Sequence, residues 1–236
     1  MTHPDYAPRV SIIIPALNEA EGIVQLLEPL QACRQQGAEI IVVDGGSADG
    51  TVPLATPLVD CVVATTRGRG HQMNIGASRA QGKTLLFIHA DTHLPSAALM
   101  LVEKSMAGGA CWGRFNVRID GRSIWLPLIA TLMNVRSRLT GIATGDQAIF
   151  VSSAAFREVG GFPEIPLMED ISLSKALLKR RRPVCLTARV TTSGRRWEAH
   201  GVWRTIIFMW WLRLRYFFGA DPTRLALAYG YGRHDD

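Results

Sequence analysis

Four apolar runs, each ending in a polar cluster, constrain this chain more than any other feature. "VSIIIPAL" gives way to Asn18 and Glu19, and "AEIIVV" to the turn-rich "DGGSADGT". "CVVAT" runs into "RGRG", and "TLLFI" into "HADTH". Runs this apolar predict strands buried on both faces rather than half-exposed ones. Helical stretches separate them. One follows Asn18, whose N-x-x-E spacing to Glu21 predicts a capping-box start, with Gly37 at its end. A short helix over Val52 to Leu58 is weakened by Pro53 and Pro57, and a longer one spans His71 to Ala80. Strand–helix alternation predicts an α/β fold with a mostly parallel central sheet and helices on both faces. In such sheets ligands bind beyond the carboxyl ends of the strands, where all four polar clusters fall.

The second half is less regular. "CWGRFNVRI" reads as an outer or antiparallel strand, and "SIWLPLIATLMNVRSRL" as a helix with Pro127 near its start. "GDQAIFV" reads as loop into strand, "SAAFREVGGF" as a short helix, "PLMEDISLSKALLKR" as loop into helix and "PVCLTARV" as a strand. With 236 residues and no repeat or linker, the chain reads as one domain over 1–236. Within it, 9–95 is the nucleotide-binding half, 96–197 the acceptor-shaping half and 198–236 an apolar helical tail.

At 47% hydrophobic and 19% charged, the composition is that of a globular protein. A net charge of +6 suits anionic partners without choosing among them. No aromatic-interleaved basic stripe occurs, which argues against nucleic acid. Four dispersed cysteines without a CxxC suit a reducing cytosol, and the N-terminal sequence has no signal-peptide pattern, so a cytoplasmic location is expected.

Each cluster permits two readings. Asp44, followed by two glycines, suits a ribose or base, or caps its own turn through Ser47 or Asp49. Arg67 and Arg69 with their glycines suit a diphosphate before a helix N-terminus, or form a solvated basic loop. Asp91 with His89 or His93 suits a divalent cation that takes further ligands from phosphate oxygens. Glu169 and Asp170 are N-terminal helix charges or include a general base.

The ordered set "VSIIIPALNEA", "EIIVVDGGSADGT", "GHQMNIGASRAQGKTLLFIHADT", "GDQAIFVSSAAFREVGGFPEIPLMEDISLSKAL" and "GRRW" resembles the family-2 glycosyltransferases with their GT-A fold. It is most similar to a small "HADT" subgroup labelled selenodomain-associated or carotenoid-acid glycosyltransferase-like. The resemblance implies that Pro15, Ala16, Asn18, Glu19 and Asp44 contact a donor nucleotide, usually uridine, with Asp49 in the following loop. It implies that Asp91 is the last carboxylate of a DxD motif binding Mn²⁺ or Mg²⁺, and that Asp170 is the inverting base. Gly145, Asp146 and Gln147, with Arg196 and Trp197, would lie near donor sugar and acceptor, beside Glu169. His89 stands where the motif has its first Asp. Arg195, Arg196 and Trp197 resemble a shortened QxxRW, with Ser193 or Gly194 in place of its glutamine. The function implied is a single sugar transfer from a UDP-sugar to a hydroxyl or carboxyl acceptor, lipid or carotenoid-type acceptors included. A nucleotidyltransferase and a catalytically degenerate nucleotide-sugar sensor are the competing readings. The tail "WRTIIFMWWLRLRYFF" reads as a helix buried against the domain or in a homodimer, or as peripheral contact with the inner membrane face.

Overall fold

The computed structural model describes residues 9–230, apart from the side chains of Arg196, Ala199, His200 and Val202. Eight strands form one sheet: β1 (Val10–Ala16), β2 (Glu39–Asp44), β3 (Cys61–Ala64), β4 (Thr84–Phe87), β5 (Thr92–His93), β6 (Trp112–Asp120), β7 (Ile149–Ser152) and β8 (Val184–Ser193). Their spatial order is β3-β2-β1-β4-β7-β6-β8-β5. The first four strands are mutually parallel. β7 runs antiparallel to both β4 and β6, β8 parallel to β6, and β5 antiparallel to β8.

Ten helices accompany the sheet among the described residues: α1 (Ile23–Gln35), α2 (Thr51–Ala55), α3 (Arg69–Arg79), α4 (Ala98–Ala107), α5 (Leu126–Thr140), α6 (Ser153–Glu158), α7 (Glu169–Leu178), α8 (Arg195–His200), α9 (Val202–Phe217) and α10 (Pro222–Tyr229). Period-two alternation on β1 explains how both faces are covered. Ile12 and Ile14 join the cluster that takes Ile23, Leu26, Leu27 and Leu30 from α1. Ile13 joins the opposite cluster with Met73, Phe87, Phe156 and Leu177. Each such buried side chain contributes about 1.5–3 kcal/mol relative to exposure. Gly76 is needed on α3 because a Cβ there would lie 2.5 Å from Ile13 Cγ2.

The structure corrects four expectations. Helix α1 begins at Ile23 after Gly22, with no side-chain cap. Asn18 instead ties two loops together: its backbone N–H donates to Ser47 Oγ at 2.8 Å, and its Oδ1 accepts from Ala48 N–H at 2.9 Å. Second, the "RGRG" loop ends early, because Arg69 and Gly70 already belong to α3. Third, of the two readings of β6 the antiparallel one holds, since it pairs antiparallel with β7, but the strand is interior, between β7 and β8, and not outer. Its Gly113 lets Phe150 and the Val184 carbonyl approach to 2.3 and 2.5 Å of where a Cβ would sit, as an edge position would not require. Fourth, helix α9 is not simply buried. Leu212 is fully buried with Leu167, Met168 and Ile171, yet Ile207, Trp210, Leu214 and Phe217 are 57–73% exposed. One stripe of α9 meets α7 and α10, and no neighbouring element among the described residues covers the other.

Candidate functional site

The strand ends converge as expected. Gln72, which the sequence did not single out, fastens two of them: its Nε2 donates to the Ala16 and Val43 carbonyls at 3.0 and 2.8 Å. Pro15 and Ala16 end β1 beside Val43 and Asp44 of β2. Asp44 is 3% exposed and takes the turn-capping geometry: Oδ2 accepts from Gly46 and Ser47 N–H at 3.0 and 2.9 Å, and Oδ1 from the Ser47 hydroxyl. These bonds fix its orientation at the sheet edge. With three of the carboxylate's four lone-pair sites occupied, one on Oδ1 is left for a nucleoside.

Next to it lies a cluster of carboxylates. Glu19 N–H donates to Thr51 Oγ1 at 2.8 Å, and Ala20 N–H to Asp49 Oδ2 at 3.0 Å. Burial pushes the Glu19 carboxyl up, Arg195 pulls it down, and the charges of Asp91 and Asp49 push it up again. Three carboxylates within electrostatic reach, offset by one arginine, form oxygen-donor chemistry suited to a hard divalent cation. Yet no group of three or more His, Cys, Asp or Glu side chains among the described residues is arranged to hold a metal unaided. Asp91 Oδ1 accepts weakly from the Thr92 and Thr192 hydroxyls at 3.3 and 3.4 Å. His93 is exposed on β5, and His89 is turned elsewhere. The residues therefore fit a cation held by Asp91, with Glu19 nearby, that draws its remaining ligands from a bound diphosphate. They do not fit a His89–Asp91–His93 cage.

His89 Nδ1 lies 3.7 Å from Asp146 Oδ1. The ring occupies space beside Gly145, where a Cβ would come within 2.2 Å of it. Burial pushes the Asp146 carboxyl up, but His89, with Arg69 and Arg213, outweighs this and holds it below the usual range. An aspartate at position 89 would face Asp146 with like charge. Gly145 N–H also donates to Asp170 Oδ2 at 2.9 Å. Asp170 Oδ1 accepts from Ile171 N–H at 2.7 Å. Gln147 is fully buried and braces this turn, accepting from Thr144 N–H at 3.3 Å and donating to Asn134 Oδ1 at 3.2 Å.

The neighbouring Glu169 is buried, and Arg69 Nη1 sits 3.6 Å from its Oε1. Burial and Asp170 push the Glu169 carboxyl up against the pull of Arg69. Arg69 is thus placed toward Glu169 rather than in an open diphosphate loop, while Arg67 is exposed before α3. Met168, immediately before α7, has φ +72°, a left-handed conformation rare for a long side chain. Trp197 packs against the main core. The Arg196 side chain lies outside the described residues.

Sequence reasoning missed two arginines. Arg136 of α5 has Nε and Nη2 buried without a hydrogen-bond partner, and Arg213 of α9 has Nε likewise. Burial, then the charge of Arg213, pulls Arg136 down to about 10 despite the opposing charge of Asp170. At pH 7 the folded and unfolded chains both carry this charge, so the folded state bears the full penalty. Above about 10 the folded chain releases a proton that the unfolded chain still holds, so stability should rise with pH there. Arg136→Met is therefore expected to stabilise the fold by about 1–2 kcal/mol at pH 7, raising Tm by roughly 3–6 °C. Thermal denaturation followed by circular dichroism checks it; a lower Tm would show that the charge is compensated.

A parallel sheet with carboxylates gathered at its carboxyl edge, joined to an antiparallel extension that carries a further acidic pair, defines the GT-A class. Solved structures share it. TarS of Staphylococcus aureus, residues 1–349 in complex with UDP-GlcNAc, superposes with TM-score 0.65 at 18% identity, over 78% of this chain and 58% of that one. A mannosyltransferase of Pyrobaculum calidifontis in complex with GDP-Man and Mn²⁺ gives TM-score 0.61 at 24% identity, over 80% and 57%. Residues 11–157 match Glycosyl transferase family 2, and the chain belongs to that family.

Two relatives illustrate its range. An undecaprenyl-phosphate 4-deoxy-4-formamido-L-arabinose transferase of Serratia proteamaculans is 29% identical over 160 residues, 62% of this chain and 48% of that protein. An uncharacterized glycosyltransferase of Mycobacterium tuberculosis is 29% identical over 251 residues, 96% of this chain and 92% of that protein. The chain thus spans about half the length of the first and nearly all of the second.

Proposed function

We propose that this chain is an inverting glycosyltransferase of the "HADT" subgroup. It moves a sugar from a UDP-sugar to a hydroxyl or carboxyl of an amphiphilic acceptor. The observation that carries the reading is the placement of Asp170: one oxygen is fixed by the Gly145 N–H at 2.9 Å, and the adjoining Asp146 lies 3.7 Å from His89, which follows β4 two residues before Asp91.

In this reading, residues 1–236 act as one domain. Pro15, Ala16, Asn18, Glu19 and Asp44 seat the nucleoside. Asp91, with Glu19 nearby, holds Mn²⁺ or Mg²⁺, which when bound supplies positive charge to the departing diphosphate. Asp170 accepts the acceptor's proton as its oxygen attacks the anomeric carbon. The Gly145 N–H orients Asp170, and His89 keeps Asp146 ionised beside it. Attack from the face opposite the nucleotide inverts the carbon in one displacement. Arg67 lies near the diphosphate end, and Arg69 holds Glu169. The Serratia relative's named substrate and the UDP-GlcNAc complex of TarS support the lipid and UDP choices. No described helix is long and apolar enough to cross a membrane. The exposed apolar stripe of α9 suits peripheral contact with a membrane surface.

Calorimetric titration of UDP and of GDP, each with manganese, magnesium or chelator, tests the reading. Metal-dependent UDP binding is expected, weakened at least about tenfold by Asp91→Ala. Binding of neither nucleotide by the folded protein would sink it, and metal dependence unchanged by Asp91→Ala would move the cation elsewhere.

A further inference from the structure

Helices α5 and α9 each carry an arginine that the structure leaves incompletely partnered. Arg136 has two buried nitrogens, Nε and Nη2, without an acceptor, and Arg213 has one, Nε. A buried guanidinium N–H without an acceptor is unfavourable, and at neutral pH these arginines keep their protons and so cannot escape the cost by neutralising. Such donors either destabilise the fold for nothing or await an anion.

Their surroundings favour an anion. Leu212, fully buried against Leu167, Met168 and Ile171, pins α9 over the start of α7, where Asp170 lies. The next residue is Arg213. Arg136 lies within electrostatic reach of Arg213, Arg114, Asp170 and Asp146. Arg114 is fully buried and donates through its Nη atoms to the Phe115 and Asn134 carbonyls at 3.1 and 3.0 Å, while its own Nε is likewise without an acceptor, so it adds positive charge to the same region. Positive charge therefore collects beside Asp170, on the α5 and α9 side. The carboxylates of Glu19, Asp49 and Asp91 gather separately at the ends of β1, β2 and β4.

The outer faces of the same two helices are apolar. Leu128, Leu132 and Leu139 of α5 and Ile207, Trp210, Leu214 and Phe217 of α9 are 47–73% exposed. Trp125, just before α5, and Trp203 bring their rings to 5.1 Å, joining the two surfaces. Cationic donors inside and an apolar surface outside match a molecule with an oxyanion head and a hydrocarbon tail.

We propose that Arg136 and Arg213 form an oxyanion-recognition site for the acceptor, reading a phosphate-type group next to the position where Asp170 takes the proton. This rests on the transferase reading above. Two guanidinium groups suit such a group because each presents planar donors that match tetrahedral oxygens. The site would select acceptors by charge, while the apolar surfaces of α5 and α9 receive the chain that follows.

The test is calorimetric titration of the whole 236-residue chain with octyl phosphate, 1-octanol and inorganic phosphate, and separately with UDP plus manganese. Octyl phosphate should bind at least about tenfold more tightly than 1-octanol. Arg136→Met and Arg213→Met should each weaken octyl phosphate by about tenfold or more, with UDP binding unchanged. Arg213→Lys, which keeps the charge but loses the planar fork, should fall between. Inorganic phosphate binding as tightly as octyl phosphate, and equally sensitive to the arginines, would keep the oxyanion site and assign it to a small soluble acceptor. Octyl phosphate affinity unchanged in both methionine variants, each folded by circular dichroism, would overturn the proposal. So would loss of UDP binding in either variant, which would give the arginines to the donor. Arginine-dependent octyl phosphate binding by a protein that ignores UDP would leave the oxyanion site standing and remove the transferase reading.

Discussion

Asp170→Asn should leave UDP binding within about twofold of the parent and reduce sugar transfer by at least about a thousandfold. The amide is nearly the same shape as the carboxylate, so its oxygen still accepts from the Gly145 N–H that Asp170 Oδ2 accepts from at 2.9 Å. It cannot take a proton. The position is not otherwise demanding: Asp170 is only partly buried, and its second oxygen bonds its own helix through Ile171 N–H. Folding should therefore survive. The check is product formation measured beside calorimetric UDP binding on the same preparation. Transfer retained within tenfold would place the base elsewhere, with Glu169 the nearest alternative. Loss of UDP binding by the folded variant would mean that Asp170 serves the donor.

Gly194→Ala should cost about 2–3 kcal/mol, lowering Tm by roughly 4–10 °C. A Cβ there would lie 2.4 Å from the Asp120 carbonyl oxygen and 3.1 Å from Leu126 Cδ1. The first is backbone at the end of β6, and it already accepts from Gly194 N–H at 2.7 Å. Neither group can step aside without shifting the junction of β8 and α8. Thermal denaturation checks the size of the loss. A Tm within 1–2 °C of the parent would mean that this junction yields more easily than its contacts suggest.

Much of the donor edge was legible in the sequence. "VSIIIPAL" and "AEIIVV" are too apolar for any place but a sheet buried on both faces, and strand polarity then put Asn18, Asp44 and Asp91 on one edge. Other features were not. The capping-box spacing of Asn18 and Glu21 matched a local pattern, but Ser47 and Ala48 compete for the Asn18 groups from a loop 29 and 30 residues away. The histidines beside Asp91 read as a metal cluster because they are adjacent in sequence. In space His89 faces Asp146, 57 positions later, and His93 faces outward.

The sequence by itself determined the alternating architecture, the family and the carboxylates along the strand ends, because hydrophobic periodicity and turn residues are local properties. Only the tertiary structure decided what those groups face. It turned His89 toward Asp146, hung Asp170 on the Gly145 N–H, and drew Arg136 and Arg213 from separate helices into electrostatic reach of each other. Such encounters depend on how the helices pack on a finished sheet, and the electrostatics that follow depend on burial that packing creates.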